Sequence, residues 1–101
     1  MYARVTTFEG AVAGMDEGTR QAREQILPAV RQMAGFKGMY LLADRSSGKA
    51  LAVTLWESEE AIRASEEAAN QLRQQSATSM GEEIRAVDRY EVVFAELEGW
   101  G

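Results

Sequence analysis

The sequence lacks two residue types on which much enzyme chemistry depends. Its 101 residues include no cysteine and no histidine. The absence of cysteine excludes disulfides, thiolate nucleophiles and cysteine-ligated metal sites. The absence of histidine removes the commonest acid–base residue and the commonest metal ligand. We therefore expect neither a metal nor a cofactor, and only a narrow range of chemistry is open to the chain.

Long apolar runs and clustered positive charge are missing as well. No apolar run approaches the roughly 18 residues that a membrane-spanning helix needs, and residues 1–5 do not resemble a signal peptide. The chain carries 16 acidic and 11 basic residues, a formal net charge of −5, and has no basic stripe. This balance argues against binding to nucleic acid and to an anionic membrane surface. We expect a cytoplasmic protein that binds neither.

The residue pattern predicts one domain over residues 1–101, in the order strand, helix, strand, strand, helix, strand. β-branched and aromatic residues mark the first strand at Tyr2–Glu9. Apolar residues at helical spacing then predict a helix that Asp16 caps and Gly35 ends. Pro28, the only proline, removes one helical hydrogen bond, so we expect it to kink this helix or split off its last turn.

A hairpin and a second helix follow. The apolar runs Phe36–Ala43 and Ala50–Trp56 are joined by a short polar loop that contains Gly48, which is typical of a β-hairpin. Ser58 can cap a helix that runs from Glu59 to about Gln75. The inward side chains of this helix are small, so the helix could lie close to a sheet or leave space beside it.

The last part of the chain supplies the final strand. The polar stretch Ser76–Glu83 is expected to be a frayed helix end and a loop. Asp88–Leu97 is rich in aromatic and β-branched residues and is predicted to be the fourth strand. Trp100 is the only large side chain that could anchor the short tail.

Apolar side chains occupy both faces of the predicted strands. In a split β-α-β arrangement the helices cover one face, and an uncovered antiparallel face should be polar at every second residue. Here Leu51, Val53 and Leu55 alternate with other apolar groups such as Trp56. An uncovered face of this kind exceeds the roughly few hundred Å² of apolar patch that a monomer tolerates. The sequence thus predicts an α+β, ferredoxin-like β-α-β-β-α-β antiparallel sheet with helices on one face, which forms a homodimer through its open sheet face.

Two short motifs resemble those of a known family. The run Gly35-Phe36-Lys37-Gly38-Met39-Tyr40 enters the second strand, and Leu55-Trp56-Glu57-Ser58-Glu59-Glu60-Ala61 leads into the second helix. They are similar to the Gly-Phe-x-Gly and Trp-x-Ser-x-x-Ala runs of the antibiotic biosynthesis monooxygenase (ABM) family, which belongs to the dimeric α/β-barrel superfamily. The resemblance covers nearly the whole chain. It implies a dimeric α/β barrel and a cofactor-independent monooxygenase that acts on a small aromatic or quinol-like substrate.

Some family members degrade haem, and the residues they use are missing from this chain. Those members use an asparagine on the first strand, and a tryptophan and a histidine on the second helical segment. By position, Ala3 and Ser65 stand in place of the asparagine and the tryptophan, and the chain has no histidine. The polyketide-oxidising members place a tryptophan and an asparagine on the second helix, and Ala61–Ala69 contains neither. The haem-degrading triad is therefore absent.

A cofactor-free oxygenase needs a dry pocket, a base and groups that stabilise negative charge. The candidate catalytic residues are Tyr40, Tyr90 and Arg4, of which Arg4 could stabilise an oxyanion. The candidate substrate-binding residues are Thr7, Met39, Trp56, Ser65 and Leu72.

Structural roles compete with each of these assignments. Tyrosines on strands are usually core or interface residues, and Trp56 could simply anchor a strand end. Arg4 and Arg89 are expected to form ion pairs with Glu91 or Asp44. The alternative function is a non-enzymatic dimeric module that binds a small ligand or has a structural role.

Overall fold

Four strands form one antiparallel sheet in a computed structural model that describes residues 1–98; residues 99–101, with the predicted anchor Trp100, lie outside the described residues. The strands are β1 (Tyr2–Glu9), β2 (Phe36–Asp44), β3 (Lys49–Trp56) and β4 (Glu83–Glu91). They lie in the order β2-β3-β1-β4, and every neighbouring pair is antiparallel. This topology confirms the predicted ferredoxin-like α+β fold.

The first helical segment begins earlier than predicted and is divided at Pro28. A 3₁₀ turn at Val12–Gly14 leads into α1 (Met15–Gln21), a π-helical turn at Ala22–Ile26 and α2 (Leu27–Arg31). Asp16 therefore lies inside the first turn of α1 and does not cap it. The π turn, in which the Leu27 N–H donates to the Ala22 carbonyl, directly precedes Pro28 at the start of α2. A wider turn at this point accommodates a residue that has no N–H to donate.

Gly35 joins this segment to the sheet and does not end the helix itself, because α2 already stops at Arg31. Its φ of +83° is a conformation that favours glycine. A Cβ at this position would lie only 2.4 Å from the Cβ of Ala61. The Gly35 carbonyl accepts a 2.7 Å hydrogen bond from the Glu57 N–H. Gly35 thus lets the start of β2 lie directly against the start of the second helical segment.

The second helical segment is broken at Ser65 into α3 (Glu59–Ala64) and α4 (Glu66–Met80). Ser58 caps α3 as predicted, since its Oγ accepts a hydrogen bond from the Ala61 N–H at 3.1 Å. The expected frayed end over Ser76–Glu83 is wrong, because α4 continues to Met80 and ends at Gly81 in the left-handed conformation. None of the helices within residues 1–98 is long and apolar enough to cross a bilayer.

The fourth strand lies about five residues earlier than the predicted Asp88–Leu97. β4 is an edge strand that pairs only with β1, and Tyr2 opposite Glu91 is their last pair. The Val92 N–H still donates to the Met1 carbonyl at 2.8 Å, but residues 92–98 form no strand. The apolar side chains of this segment are left in solvent, with Val93 86% and Phe94 80% exposed.

Candidate functional site

A cavity of about 120 Å³ lies between the sheet and the helices. Most of its lining is apolar, and small side chains on β3 and α4, namely Ala50, Ala52 and Ala69, create the space. The lining residues that are exposed to solvent, among them Leu41 and Thr19, mark its opening. An apolar cavity of about 150 Å³ is known to accept benzene, so this one has the size of a single aromatic ring.

Trp56 forms one rigid wall of the cavity. It is fully buried at the end of β3, and its Nε1 donates a 2.9 Å hydrogen bond to the Thr54 Oγ1. Phe36 packs edge-on against it, with ring centroids 5.7 Å apart. The guanidinium carbon of Arg4 lies 5.4 Å from the ring centroid, a cation–π distance. The indole is therefore held on several sides and forms a rigid part of the cavity wall.

Arg4 is the most deeply buried charged group at the cavity and is only 2% exposed. Its Nη2 donates to the Ile62 carbonyl at 2.7 Å, the Ser65 Oγ at 2.9 Å and the Glu66 Oε1 at 2.9 Å. The break between α3 and α4 makes this contact available, because the last-turn carbonyls of a helix have no intrahelical partner. Ser65 supports the arrangement by donating to the Ile62 carbonyl at 2.9 Å.

Glu66 neutralises two arginines that face each other across the sheet. Arg4 on β1 is directly opposite Arg89 on β4, and like charges in that position repel. Both side chains form ion pairs with Glu66, so the expected partners Glu91 and Asp44 are wrong. Hydrogen bonding from Arg89, and then from Arg4, outweighs desolvation and lowers the pKa of Glu66 to about 2.

Arg73 on α4 is a second guanidinium that lines the cavity. Its Nη2 donates to the Asn70 Oδ1 at 3.1 Å. Its Nε is buried and has no hydrogen-bond partner within the described part of the chain, and the same holds for the Arg4 Nε. Burial lowers the pKa of Arg73, and the nearby positive charge of Arg4 lowers it further.

Glu82 is the acidic residue of the lining and lies between α4 and β4. Its side chain lies beside Gly10, just beyond the end of β1, because a Cβ on that glycine would come within 2.8 Å of the Glu82 Cγ. Arg4 is near the other end of β1, and an extended strand separates the Cα atoms of Arg4 and Phe8 by roughly 13 Å. Burial raises the pKa of the Glu82 carboxyl. The cavity thus has an arginine end and a carboxylate end.

The residues singled out in the sequence fall into two groups. Arg4, Met39, Trp56 and Leu72 all line the cavity, and Ser65 contacts it indirectly through its hydrogen bond with Arg4. The remaining three candidates, Thr7, Tyr40 and Tyr90, belong to the rows of side chains on the opposite face of the sheet.

The alternation of a strand explains the misplaced candidates. Successive side chains point to opposite faces, so Thr7 faces away from the cavity that Arg4 faces. Tyr40 and Tyr90 face away from it for the same reason, and neither supplies a catalytic hydroxyl to the cavity within this chain. Arg73 and Glu82 were not among the sequence candidates. They are identified only by the direction of their side chains, which point into the cavity. No local sequence motif indicates that direction.

The antiparallel sheet, the helices on one face and the cavity between them define a class: ferredoxin-like α+β proteins with an internal site. The family model described as "Antibiotic biosynthesis monooxygenase" matches residues 1–77. The chain belongs to this family. Rv2557 of Mycobacterium tuberculosis, an uncharacterized protein, is 36% identical over 92 residues, which are 91% of this chain and 41% of Rv2557. The chain therefore spans about two fifths of the length of that curated relative.

Solved structures show the same fold at low sequence identity. The Streptomyces coelicolor monooxygenase ActVA-Orf6, in complex with nanaomycin D, has a TM-score of 0.71 at 19% identity and covers 97% of this chain and 92% of its own. A mutant of the cofactor-independent oxygenase SnoaB of Streptomyces nogalater has a TM-score of 0.62 at 18% identity, with coverages of 96% and 97%. A dimeric ferredoxin-like protein from an uncultured marine organism has a TM-score of 0.68 at 10% identity, with coverages of 96% and 98%.

Proposed function

We propose that this protein is a cofactor-independent monooxygenase that oxidises a small aromatic or quinol-like substrate in the cavity between sheet and helices. The observation that carries the proposal is the half-enclosed, mostly apolar cavity with the Trp56 wall and the Glu82 carboxyl. Membership of the ABM family and the similarity to ActVA-Orf6 and SnoaB support the reaction class.

The substrate itself supplies the electrons in this reaction class. A base removes a proton from a phenol or from a carbon that aromatic rings activate, and the resulting anion reduces molecular oxygen. On an activated methylene, one oxygen atom enters as a carbonyl and the other leaves as water with the two hydrogens of that carbon. On a hydroquinone, one oxygen atom enters a ring carbon as a hydroxyl, and the other leaves as water with the two phenolic hydrogens as the ring becomes a hydroxyquinone. The protein's part is to desolvate the substrate, to accept the proton and to stabilise the anion.

Glu82 is the residue we assign as the base. Burial raises the pKa of its carboxyl, which brings it closer to the pKa of an activated substrate and improves proton transfer. The rate should therefore rise as the pH increases through this raised value, because only the deprotonated carboxylate accepts a proton. Glu82→Gln should lower kcat by about 100-fold or more and remove this pH dependence. Glu83→Gln changes the exposed neighbouring carboxylate and should leave the pH profile unchanged.

Oxygen consumption tests the assignment directly. Hydroquinones and anthrones are incubated with the protein in air and under anaerobic conditions, with buffer blanks, and ¹⁸O₂ identifies the atom that enters the product. Single-ring hydroquinones fit the cavity volume best. Ala69→Leu fills the cavity and should abolish turnover, whereas Ala68→Leu on the exposed side of the same helix should not. If no substrate consumes oxygen faster than the blank, the monooxygenase proposal is wrong.

The second candidate function is a non-enzymatic module that binds a small ligand. The shortage of acid–base groups favours it, because Glu82 is the one carboxylate of the lining among the described residues and Tyr40 and Tyr90 face away from the cavity. In that case single-ring ligands would bind, and Ala69→Leu would weaken their binding. No oxygen would be consumed with any ligand in the panel.

We also propose that the protein is a homodimer that associates through the open face of its sheet. Large apolar side chains remain exposed there, with Tyr90 at 57% and Leu42 at 51%. The unpaired segment that contains Val93 and Phe94 extends the apolar surface, and a partner would cover both. The marine protein of the same fold is dimeric, which supports the association of two copies. A stable monomer in sedimentation at micromolar concentration would contradict it.

A further inference from the structure

The arginine end of the cavity carries more positive charge than the chain itself balances. Arg4, Arg73 and Arg89 are close enough to influence one another, and Glu66 is the carboxylate that interacts with all three. The whole chain is acidic, with a net charge of −5.

The hydrogen-bonding capacity of Glu66 is already in use. Its Oε1 accepts from Arg4 and Arg89, and its Oε2 accepts from a terminal nitrogen of Arg89. Arg73 is left with the amide oxygen of Asn70 as its hydrogen-bond acceptor. Within residues 1–98, no carboxylate lies within ion-pair distance of Arg73. Its charge is half-buried and unpaired at the cavity wall.

Two buried donors at this end also lack acceptors. The Nε of Arg4, on a side chain that is almost wholly buried, and the Nε of Arg73 have no hydrogen-bond partner among the described residues. Both arginines line the cavity. Buried polar groups are nearly always hydrogen-bonded, and an exception calls for a missing partner. An acceptor that carries negative charge would meet both needs at once.

We propose that the arginine end of the cavity is an anion subsite and that the ligand is an aromatic acid, whose carboxylate Arg73 holds beside Arg4 while its ring occupies the apolar part of the cavity. A guanidinium matches a carboxylate in shape and can donate two parallel hydrogen bonds to it. This inference deepens the proposed function by naming the substrate class. Only the oxidation of the acid rests on the proposed function. The binding of the acid stands as a separate claim.

A matched pair of single-ring probes tests the subsite. 4-Hydroxybenzoate and 4-hydroxybenzamide differ in charge and hardly in size, and calorimetry measures the affinity of each. We expect the acid to bind at least about tenfold more tightly at low salt, since an anion gains from unpaired cations that a neutral amide gains little from. Equal affinities, or no binding of the acid, would overturn the proposal, and this comparison in the unmodified protein needs no variant to fold.

Substitution then identifies the residue responsible. Arg73→Gln should reduce the preference for the acid to about threefold or less. Arg31→Gln removes an exposed arginine outside the cavity and should keep the full preference. A preference that survives Arg73→Gln in a folded protein would contradict the role of Arg73.

Failure of this proposal and failure of the monooxygenase proposal have different signatures. If the acid binds selectively but no aromatic acid or quinol consumes oxygen, the subsite stands and the reaction is wrong. If neutral hydroquinones are oxidised and the acid shows no advantage in binding, the reaction stands and the subsite is wrong.

Discussion

The two faces of the sheet consist of alternate residues of the same four strands, and their central rows on β1 and β3 differ in polarity. The covered face presents Arg4, Thr6 and Thr54 to the helices. The open face presents Val5 and Val53 in the corresponding central row. A typical antiparallel sheet of this kind buries its apolar face and exposes its polar one. This sheet does the reverse in its central rows.

The reversal shows that each face has a task besides holding the fold together. Buried polar groups are costly unless they are paired, so the arginines on the covered face indicate a site and not merely a core. Exposed apolar rows are costly in water, so the open face indicates an interface. The covered face should therefore control folding and ligand binding, and the open face should control association.

Truncation of the covered face should produce the largest loss of folding stability. Trp56→Ala removes a fully buried ring and its contacts with Arg4 and Phe36. We expect the free energy of unfolding to fall by about 3 to 5 kcal/mol, as measured by urea denaturation. Trp56→Phe keeps the ring packing and should cost much less. Tyr90→Ala on the open face is the counterpart, and a similar loss there at equal oligomeric state would erase the distinction between the faces.

A charge on the open face should break association and leave the protomer folded. Tyr90→Glu places a carboxylate in the proposed interface, which should weaken dimerisation by about 100-fold, or roughly 2.7 kcal/mol. Sedimentation velocity over a concentration series measures the change, and circular dichroism monitors the fold. Gln71→Glu adds the same charge at an exposed position on α4 and serves as the control. Unchanged dimerisation of Tyr90→Glu would place the interface elsewhere.

The ion pairs of Glu66 with Arg4 and Arg89 on the covered face predict a smaller effect on folding stability, and this effect depends on pH. The pKa of Glu66 is lowered to about 2 in the folded chain from its usual 4.5, so its stabilising contribution is complete above about pH 4.5 and is lost as the pH falls toward 2. Glu66→Gln should cost about 1 to 2 kcal/mol at neutral pH, after allowance for its partial exposure. The stabilities of the variant and the wild type should converge near pH 2. A constant difference across that range would mean that Glu66 acts by packing and not by charge.

Local signals in the sequence were sufficient for most of the fold. Strand and helix patterns, the hairpin turn and the Ser58 cap depend on neighbouring residues, and the structure agrees with them. The boundaries that failed depend on distant partners. β4 ends at Glu91, where its pairing with β1 stops at Tyr2, and Asp16 misses the cap position because the preceding residues already turn.

The candidate site was harder to predict for the same reason. Met39, Trp56 and Leu72 follow from their apolar character and their place on inward faces. Arg73 and Glu82 line the same cavity only because the middle of α4 and the turn that follows it both pack against the sheet. Charged side chains on a helix usually face water, so their burial could not be inferred from spacing alone.

The sequence by itself determined the order of the elements, the family and the apolar character of both sheet faces, because these properties depend on composition and short-range periodicity. Only the tertiary structure decided which side chains share the cavity, that one carboxylate serves two opposing arginines, and that a third arginine has no carboxylate partner within residues 1–98. Those relations join residues that are far apart in the chain, and their energies arise from burial and charge pairing that exist only after the chain has folded.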